Sequence, residues 1–435
     1  MPRPFTSPLW RNGAFVRVWT AATISIFGSL ITRMALPFVA ILVLSAGPIE
    51  VAVLRSLDLV AALLVGLVAG AWVDRLRRRP VLIWADLGRA LLLLSLPLAF
   101  VLGLLTLWQL FAVAILTAAL TSFFDAADNA YLPSIVRQEE LVEANSSLAA
   151  SGSAAEFTAF GISGFLIQAL TAPIAILIDA ATFLVSALLL ASIRRPEPAP
   201  PPLAERRPVL REIREGVAIV AGDPVLRALA LAQMSQHVLW GVFGATYLLF
   251  AFQDLSLGPA AIGLIAGAGG FGSLLGALVV GGATRRWGIG RTAIAALVVA
   301  AVGNAFVPFA PAGMPLIAAG FLIAQQLVGD SAVTVYDITE QSVRQATVEN
   351  RLLGRAASTF QVAAVGAQLV GTIGAGLVAE AFGLRIAAAI APLGGLAGAV
   401  VLWFSPVRSL RIRSLETGAV PAAEVERPPD QPIGG

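Results

Sequence analysis

The chain has 435 residues, 58% hydrophobic and 13% charged, with a net charge of +3, where an ordinary soluble domain carries about 25% charged residues. So apolar a composition excludes a soluble or a disordered chain, and so small a net charge leaves nucleic acid out as a partner. Without Cys or Lys, and with His237 as its one histidine, it has no thiolate site, disulfide, P-loop lysine or histidine-rich zinc site.

In chain order, twelve apolar blocks are long enough to cross about 30 Å of hydrocarbon at 1.5 Å per residue. They centre on 17–44, 51–73, 81–104, 107–131, 147–170, 173–193, 227–251, 260–283, 291–311, 315–337, 359–380 and 386–405. The breaks are short and carry Gly or Pro, as at Ala46-Gly47-Pro48 and Thr171-Ala172-Pro173. The pattern predicts an all-α membrane protein with two halves, residues 1–193 and 227–407. Positively charged residues gather on the cytoplasmic side of a bilayer. With a cytoplasmic N-terminus, every basic residue falls in an inner segment except Arg33, Arg55, Arg89, Arg227 and Arg385. Both termini are therefore expected on the cytoplasmic face, with the lipid bilayer as surroundings.

Residues 194–226 separate the halves. They open on Arg194-Arg195-Pro196-Glu197-Pro198, an extended segment. Leu203 to Gly222 then mixes charge with Val209, Leu210, Ile213 and Val217, which predicts an amphipathic helix on the inner membrane surface. Residues 408–435, rich in Pro and acid, are expected to form a cytoplasmic tail without structure.

Between the second and third blocks runs Gly70-Ala71-Trp72-Val73-Asp74-Arg75-Leu76-Arg77-Arg78-Arg79-Pro80. This closely resembles the signature loop of the major facilitator superfamily, G-x-x-x-D-R-x-G-R-R/K, with Arg77 in place of Gly. A weaker copy, Gly281-Gly282-Ala283-Thr284-Arg285-Arg286, occupies the matching place in the second half. Further stretches narrow the resemblance: Phe123 to Pro133, Glu143-Ala144-Asn145, Asp179 to Ala187, and Arg351-Leu352-Leu353-Gly354-Arg355. They look like the branch of macrolide- and tetracycline-type efflux proteins and the enterobactin exporter. The resemblance implies a conformational latch formed by Gly70, Asp74, Arg75, Arg78 and Arg79. Asp74 would meet the N-terminus of the eleventh span, and the Arg residues would pair with Asp125 or Asp128. Gly152 and Gly161-Ile162-Ser163-Gly164 depart from the family's antiporter motif by lacking its Pro, and are expected to allow close helix packing.

A charge at mid-bilayer costs about 2.5–3.5 kcal/mol on insertion scales, so it is paired, faces water or works. Arg33 in span one, Asp58 in span two, Glu156 in span five and Asp330 in span ten are such charges. Arg33 is expected to pair with Glu156 or Asp58, and one acid to carry a coupling proton. Asp86, Arg89 and Asp179 sit nearer span ends and are expected to pack or cap. Gln233, Gln236 and His237 on span seven, and Gln325 and Gln326 on span ten, offer polar contacts to a substrate or to neighbouring helices. Trp108 and Trp240 are candidate interface anchors or cavity walls.

No enzyme constellation, cofactor or metal site emerges, and a transporter without a nucleotide loop must draw on a gradient. The resemblance implies a monomeric secondary transporter of a bacterial inner membrane, working by alternating access. It would export small lipophilic or amphipathic compounds in exchange for protons. Alternatives are a dedicated exporter of a metabolite such as a siderophore, or a membrane receptor built on the same fold.

Overall fold

A computed structural model describes residues 7–73, 76–194, 209–349 and 352–410. In chain order the helices are α1 (Gly13–Phe38), α2 (Pro48–Val73), α3 (Arg78–Val101), α4 (Leu107–Ile135), α5 (Leu141–Leu170) and α6 (Ala172–Ala191). There follow α7 (Val209–Gly222), α8 (Pro224–Leu249), α9 (Pro259–Trp287), α10 (Ile289–Phe309), α11 (Pro315–Gln325), α12 (Ser331–Thr347), α13 (Leu353–Phe382) and α14 (Leu384–Trp403). Among the described residues, ten helical stretches are long and apolar enough to cross a membrane. Counting the bent pair Arg214–Gly222 and Pro224–Asp254 makes eleven. The twelfth expected block corresponds to α2, a helix of 26 residues. Arg55, in the expected block 51–73, belongs to α2.

Local chemistry sets the helix ends. The Asn12 side chain accepts from the backbone N–H groups of Ala14 and Phe15 at 3.1 and 3.4 Å, capping α1. Its amide also donates to Ile135 O at 2.7 Å, tying α1 to the end of α4. Asp223 caps α8 by accepting from Val225 and Leu226 at 2.8 and 2.9 Å, with Pro224 fitting the first turn. At this cap the chain bends by 105°, so α7 runs across the end of α8 rather than along it. Arg355 of α13 donates to Glu215 Oε2 at 2.5 Å, holding α7 against the start of α13.

Three connections are a single residue at positive φ: Thr171 at 80°, Gly288 at 85° and Gly383 at 90°, each with ψ near 155°. This region is open to glycine and costs any other residue about 1–3 kcal/mol. Thr171 bears that cost where Gly288 and Gly383 avoid it. Thr171→Gly is therefore expected to stabilise the fold by about 1 kcal/mol, read as a higher melting temperature in detergent. A lower one would contradict the strain.

Helices α1 to α6 pack among themselves, as do α8 to α14. The two groups meet mainly through α5 with α9 and α2 with α13. The close approaches lie away from the face on which α1 begins, called here the N-terminal face. Gly164 meets Pro259 and Gly263, Gly376 meets Ala52, and Phe38 stands edge-on to Phe252 at 6.2 Å. One apolar core on that far side draws on both groups, including Phe38, Leu54, Ile167, Phe250, Ile262 and Ala379. Toward the N-terminal face the core splits. Phe15, Tyr131 and Ile193 belong to one part, and Leu229, Tyr336 and Phe360 to the other. The groups are joined at one face and part toward the other.

Three helices loosen into π-helical turns, at Val39–Val43, Phe250–Asp254 and Gln326–Asp330. Such turns leave carbonyls free of the regular ladder and are frequent at functional sites. At the C-terminal end the packed chain continues through Leu410, which is 2% exposed and accepts from Gly290 N–H at 3.4 Å. The predicted linker start, 195–208, and the tail from 411 lie outside the described residues.

Candidate functional site

A cavity of about 810 Å³ lies between the first halves of α1 and α5, the halves nearer the N-terminal face, and Thr182 of α6 also lines it. Its walls include Trp10, Trp19, Phe27, Glu143 and Thr158. Trp10 and Trp19 stand edge-to-face with centroids 5.1 Å apart. Trp19 Nε1 donates to Ser151 Oγ at 2.7 Å, which fixes the ring and joins α1 to α5. Glu143 accepts from Ser7 Oγ at 2.6 Å at the rim. The volume lies in the range of small-molecule sites, and aromatic walls with a few polar groups are their usual lining. Sequence reasoning missed this site. Trp10 precedes the first apolar block, and the repeated Ser at 146, 147 and 151 beside Glu143 was the available signal. Trp108 and Trp240 do not line it; Trp108 is 81% exposed.

Arg33 does not pair with Glu156 or with Asp58 in this structure. Asp58 is taken by Arg55, one turn away on its own helix, at 3.8 Å. The i,i+3 spacing brings the two together without any movement between helices. Arg33 bears on Asp58 and Arg55 electrostatically without touching. Glu156 is exposed on α5 and makes no ion pair within 4 Å among the described residues. The first-half charges thus form a trio of Arg33, Arg55 and Asp58, with Glu156 apart.

In the second half the structure does bring predicted residues together. The π-helical turn carries Gln326 and Asp330, and both lie against Gly269 of α9, where a Cβ would collide with Asp330 Oδ2. Gln326 Nε2 reaches Ala266 O at 3.5 Å, while Gln325 donates to Asn304 Oδ1 of α10 at 3.2 Å. The Tyr247 hydroxyl of α8, near Asp330, is buried without a hydrogen-bond partner. Gln236 is 1% exposed, and neither of its amide atoms has a partner. His237 Nδ1 lies 3.0 Å from Gln233 O on its own helix, which satisfies one ring nitrogen locally. Buried amides are normally bonded, so Gln236 holds unused hydrogen-bonding capacity inside the second helical group.

Of the expected latch, Asp74 and Arg75 lie outside the described residues, and Gly70 is in the last turn of α2. Arg78 and Arg79 open α3. Arg79 Nε donates to Leu190 O at 2.9 Å and its other nitrogen to Ala191 O, so it caps the end of α6. Asp125 and Asp128 make no ion pair within 4 Å among the described residues; the cation bearing on Asp125 is Arg89. The carbonyls at the end of α6 stand within Arg79's reach.

A family model described as transmembrane secretion effector matches residues 4–433. The chain is 28% identical over 419 residues to the multidrug efflux pump Tap of Mycolicibacterium fortuitum, covering 94% of this chain and 99% of that protein. It is 26% identical over 393 residues to the uncharacterized MFS-type transporter YfiS of Bacillus subtilis (strain 168), covering 87% and 90%. Among solved structures, the nucleoside transporter NupG superposes with TM-score 0.73 at 14% identity, covering 90% of this chain and 98% of NupG. A bacterial homologue of the iron transporter ferroportin, in an inward-facing state, gives 0.72 at 18% identity, covering 93% and 100%. At these identities the structural likeness speaks to the fold.

Proposed function

The chain belongs to the transmembrane secretion effector family of major facilitator transporters, which are not enzymes, and from that premise we propose that it exports small lipophilic or amphipathic compounds. It does so by alternating access, with twelve spans in two six-helix bundles, α2 being the twelfth. The N-terminal face is cytoplasmic in a bacterial inner membrane, and protons entering through the chain drive export. The observation that carries this reading is the 810 Å³ cavity, walled by Trp10 and Trp19, in the part of the first helical group nearer the face where the two groups part. A multidrug efflux pump among its relatives supports the substrate class. One of Asp58, Glu156 and Asp330 carries the coupling proton, with Arg33 setting the charge around the first; Gln236, His237, Gln325 and Gln326 contact substrate from the second half. Asp74, Arg75, Arg78 and Arg79 latch the cytoplasmic face in the opposite state.

The test is thermal stabilisation of the purified protein by a panel of dyes, antibiotics and siderophores. A ligand at a hundred times its Kd adds about 2.7 kcal/mol to apparent stability. Several unrelated lipophilic hits are expected, each weakened about tenfold or more by Trp19→Ala, since a buried Trp is worth about 2 kcal/mol or more in such a pocket. A single siderophore hit would make the chain a dedicated exporter. No hit at all, with the protein folded, would overturn export and favour a receptor.

A further inference from the structure

Behind the cavity wall, the first helical group encloses charges that the reading above does not use. Asp86 and Arg89, one turn apart on α3, are 0% and 2% exposed and pair directly. The Arg89 guanidinium lies between the rings of Phe124, at 4.3 Å, and Phe183, at 4.1 Å. It also donates to Thr121 Oγ1 at 3.4 Å. The other charged groups facing this pair are Asp125 and Asp128 from α4 and Asp179 from α6. Three of these carboxylates, Asp86, Asp125 and Asp179, bear on the one guanidinium, and Asp128 bears on Asp86 and Asp125. A buried charge needs a partner or it is neutralised, and one cation paired with Asp86 cannot also serve the buried Asp179.

A second observation points the same way. Asp86 Oδ2 has no hydrogen-bond partner, although Asp86 is wholly buried. Two buried hydroxyls, Ser186 facing Asp86 and Thr32 facing Asp179, stand close to these carboxyls without reaching hydrogen-bond geometry. Buried polar groups are otherwise bonded in the great majority of cases. Asp179 is 1% exposed and has no cation within 4 Å among the described residues, so a bare anion there is costly and a bound proton relieves it.

The cluster is also connected at both ends. Asp125 is exposed and Asp128 half-buried, both in the part of α4 nearer the N-terminal face. At the other end Thr182 Oγ1 donates to Asp179 Oδ1 at 3.1 Å, and Thr182 itself lines the cavity. Gly28 of α1 permits this contact, since a Cβ there would collide with both Asp179 and Thr182.

We propose that Asp86 and Asp179, with Arg89 paired to the first and bearing on the second, form a proton-binding site behind the cavity wall, reached from the N-terminal face through Asp125 and Asp128. Its role rests on the reading of the chain as a proton-driven exporter; its existence does not. Thr182 carries the effect of the proton to the cavity. A substrate packed against Thr182 and a proton on Asp179 then compete for one side-chain arrangement, as exchange requires.

Infrared difference titration of the purified full chain tests this without any substrate. The wild type is expected to show the carbonyl stretch of a protonated carboxyl at neutral pH, lost as the solution is made alkaline. Asp179→Asn and Asp86→Asn are each expected to remove part of that signal. Where Asp86→Asn leaves Arg89 unpaired and unfolds the protein, the Asp86→Asn/Arg89→Gln double variant removes the pair together and keeps the test. No protonated carboxyl in the wild type at neutral pH, or the same signal in every folded variant, overturns the site. Absence of proton-driven transport by the wild type, with the carboxyl signal present and lost in the variants, would instead overturn the exporter reading.

Discussion

Gly164→Val and Gly263→Val are each expected to abolish transport while leaving the protein folded. Gly164 of α5 and Gly263 of α9 are opposed: a Cβ on the first would collide with Pro259 O, and on the second would lie 2.6 Å from Phe160 O. Both partners are backbone, which cannot rotate away. Gln168 strengthens the junction by accepting from Ala260 N–H at 3.1 Å, capping α9 from the opposite helical group. This is a contact between groups, on the face where they meet, so alternating access must break and remake it. Overpacking costs about 1–3 kcal/mol, and at 1.4 kcal/mol per tenfold the upper figure displaces a two-state equilibrium on the order of a hundredfold. The displacement is away from the state seen here, toward one open at the far face. The chain has no Cys, so Leu257→Cys, in the shared core and 4% exposed, reports that opening by thiol labelling against no background. Labelling should rise in the Gly164→Val background. In Gly161→Ala it should stay low, because the nearest neighbour of a Cβ there is Leu264 at 4.0 Å. Unchanged labelling with full transport would show that this junction does not gate the far face.

The small residues of span five were legible in the sequence as a close-packing surface, because spacing on a helix needs no knowledge of the partner. What they pack against was not legible, since the approach of α5 to α9 is a long-range fact. The charges divide the same way. That Arg33, Asp58 and Asp330 have work to do follows from the cost of placing them in hydrocarbon. Which one pairs with which does not, and Arg55 takes Asp58 from Arg33 through local spacing. Asp86, Arg89 and Asp179 read as packing groups in sequence because each lies toward a helix end. Only the meeting of α3, α4 and α6 makes them a cluster around one guanidinium. The π-helical turns left no trace in the apolar pattern, yet one of them sets Gln326 and Asp330 together against Gly269. Hydropathy reports which residues meet lipid, and it is silent on the details of helix winding.

Gly371→Val makes the opposite kind of change at a junction of the same chemistry. Gly371 of α13 would drive a Cβ into Val238 O of α8, and Gly241 of α8 faces Gln368 O of α13 in the same way. These helices belong to one group and share the closest packing in it, so no step of alternating access parts them. The strain has no second state in which to relax. A collision with backbone from two sides leaves only separation of the helices, which exposes Leu239 and Val242, buried between α8, α13 and α14. The cost is expected to reach about 3 kcal/mol or more, a large part of the stability of an ordinary domain. Gly371→Val should therefore lose the monodisperse peak in size-exclusion chromatography or melt far below the wild type. Gly374→Val, on the next turn of the same helix, meets nothing within 4 Å of its added Cβ and should behave as wild type. If both variants fold and only transport suffers in Gly371→Val, then α8 and α13 move against each other during the cycle. The second helical group would then flex within itself rather than rock as one body.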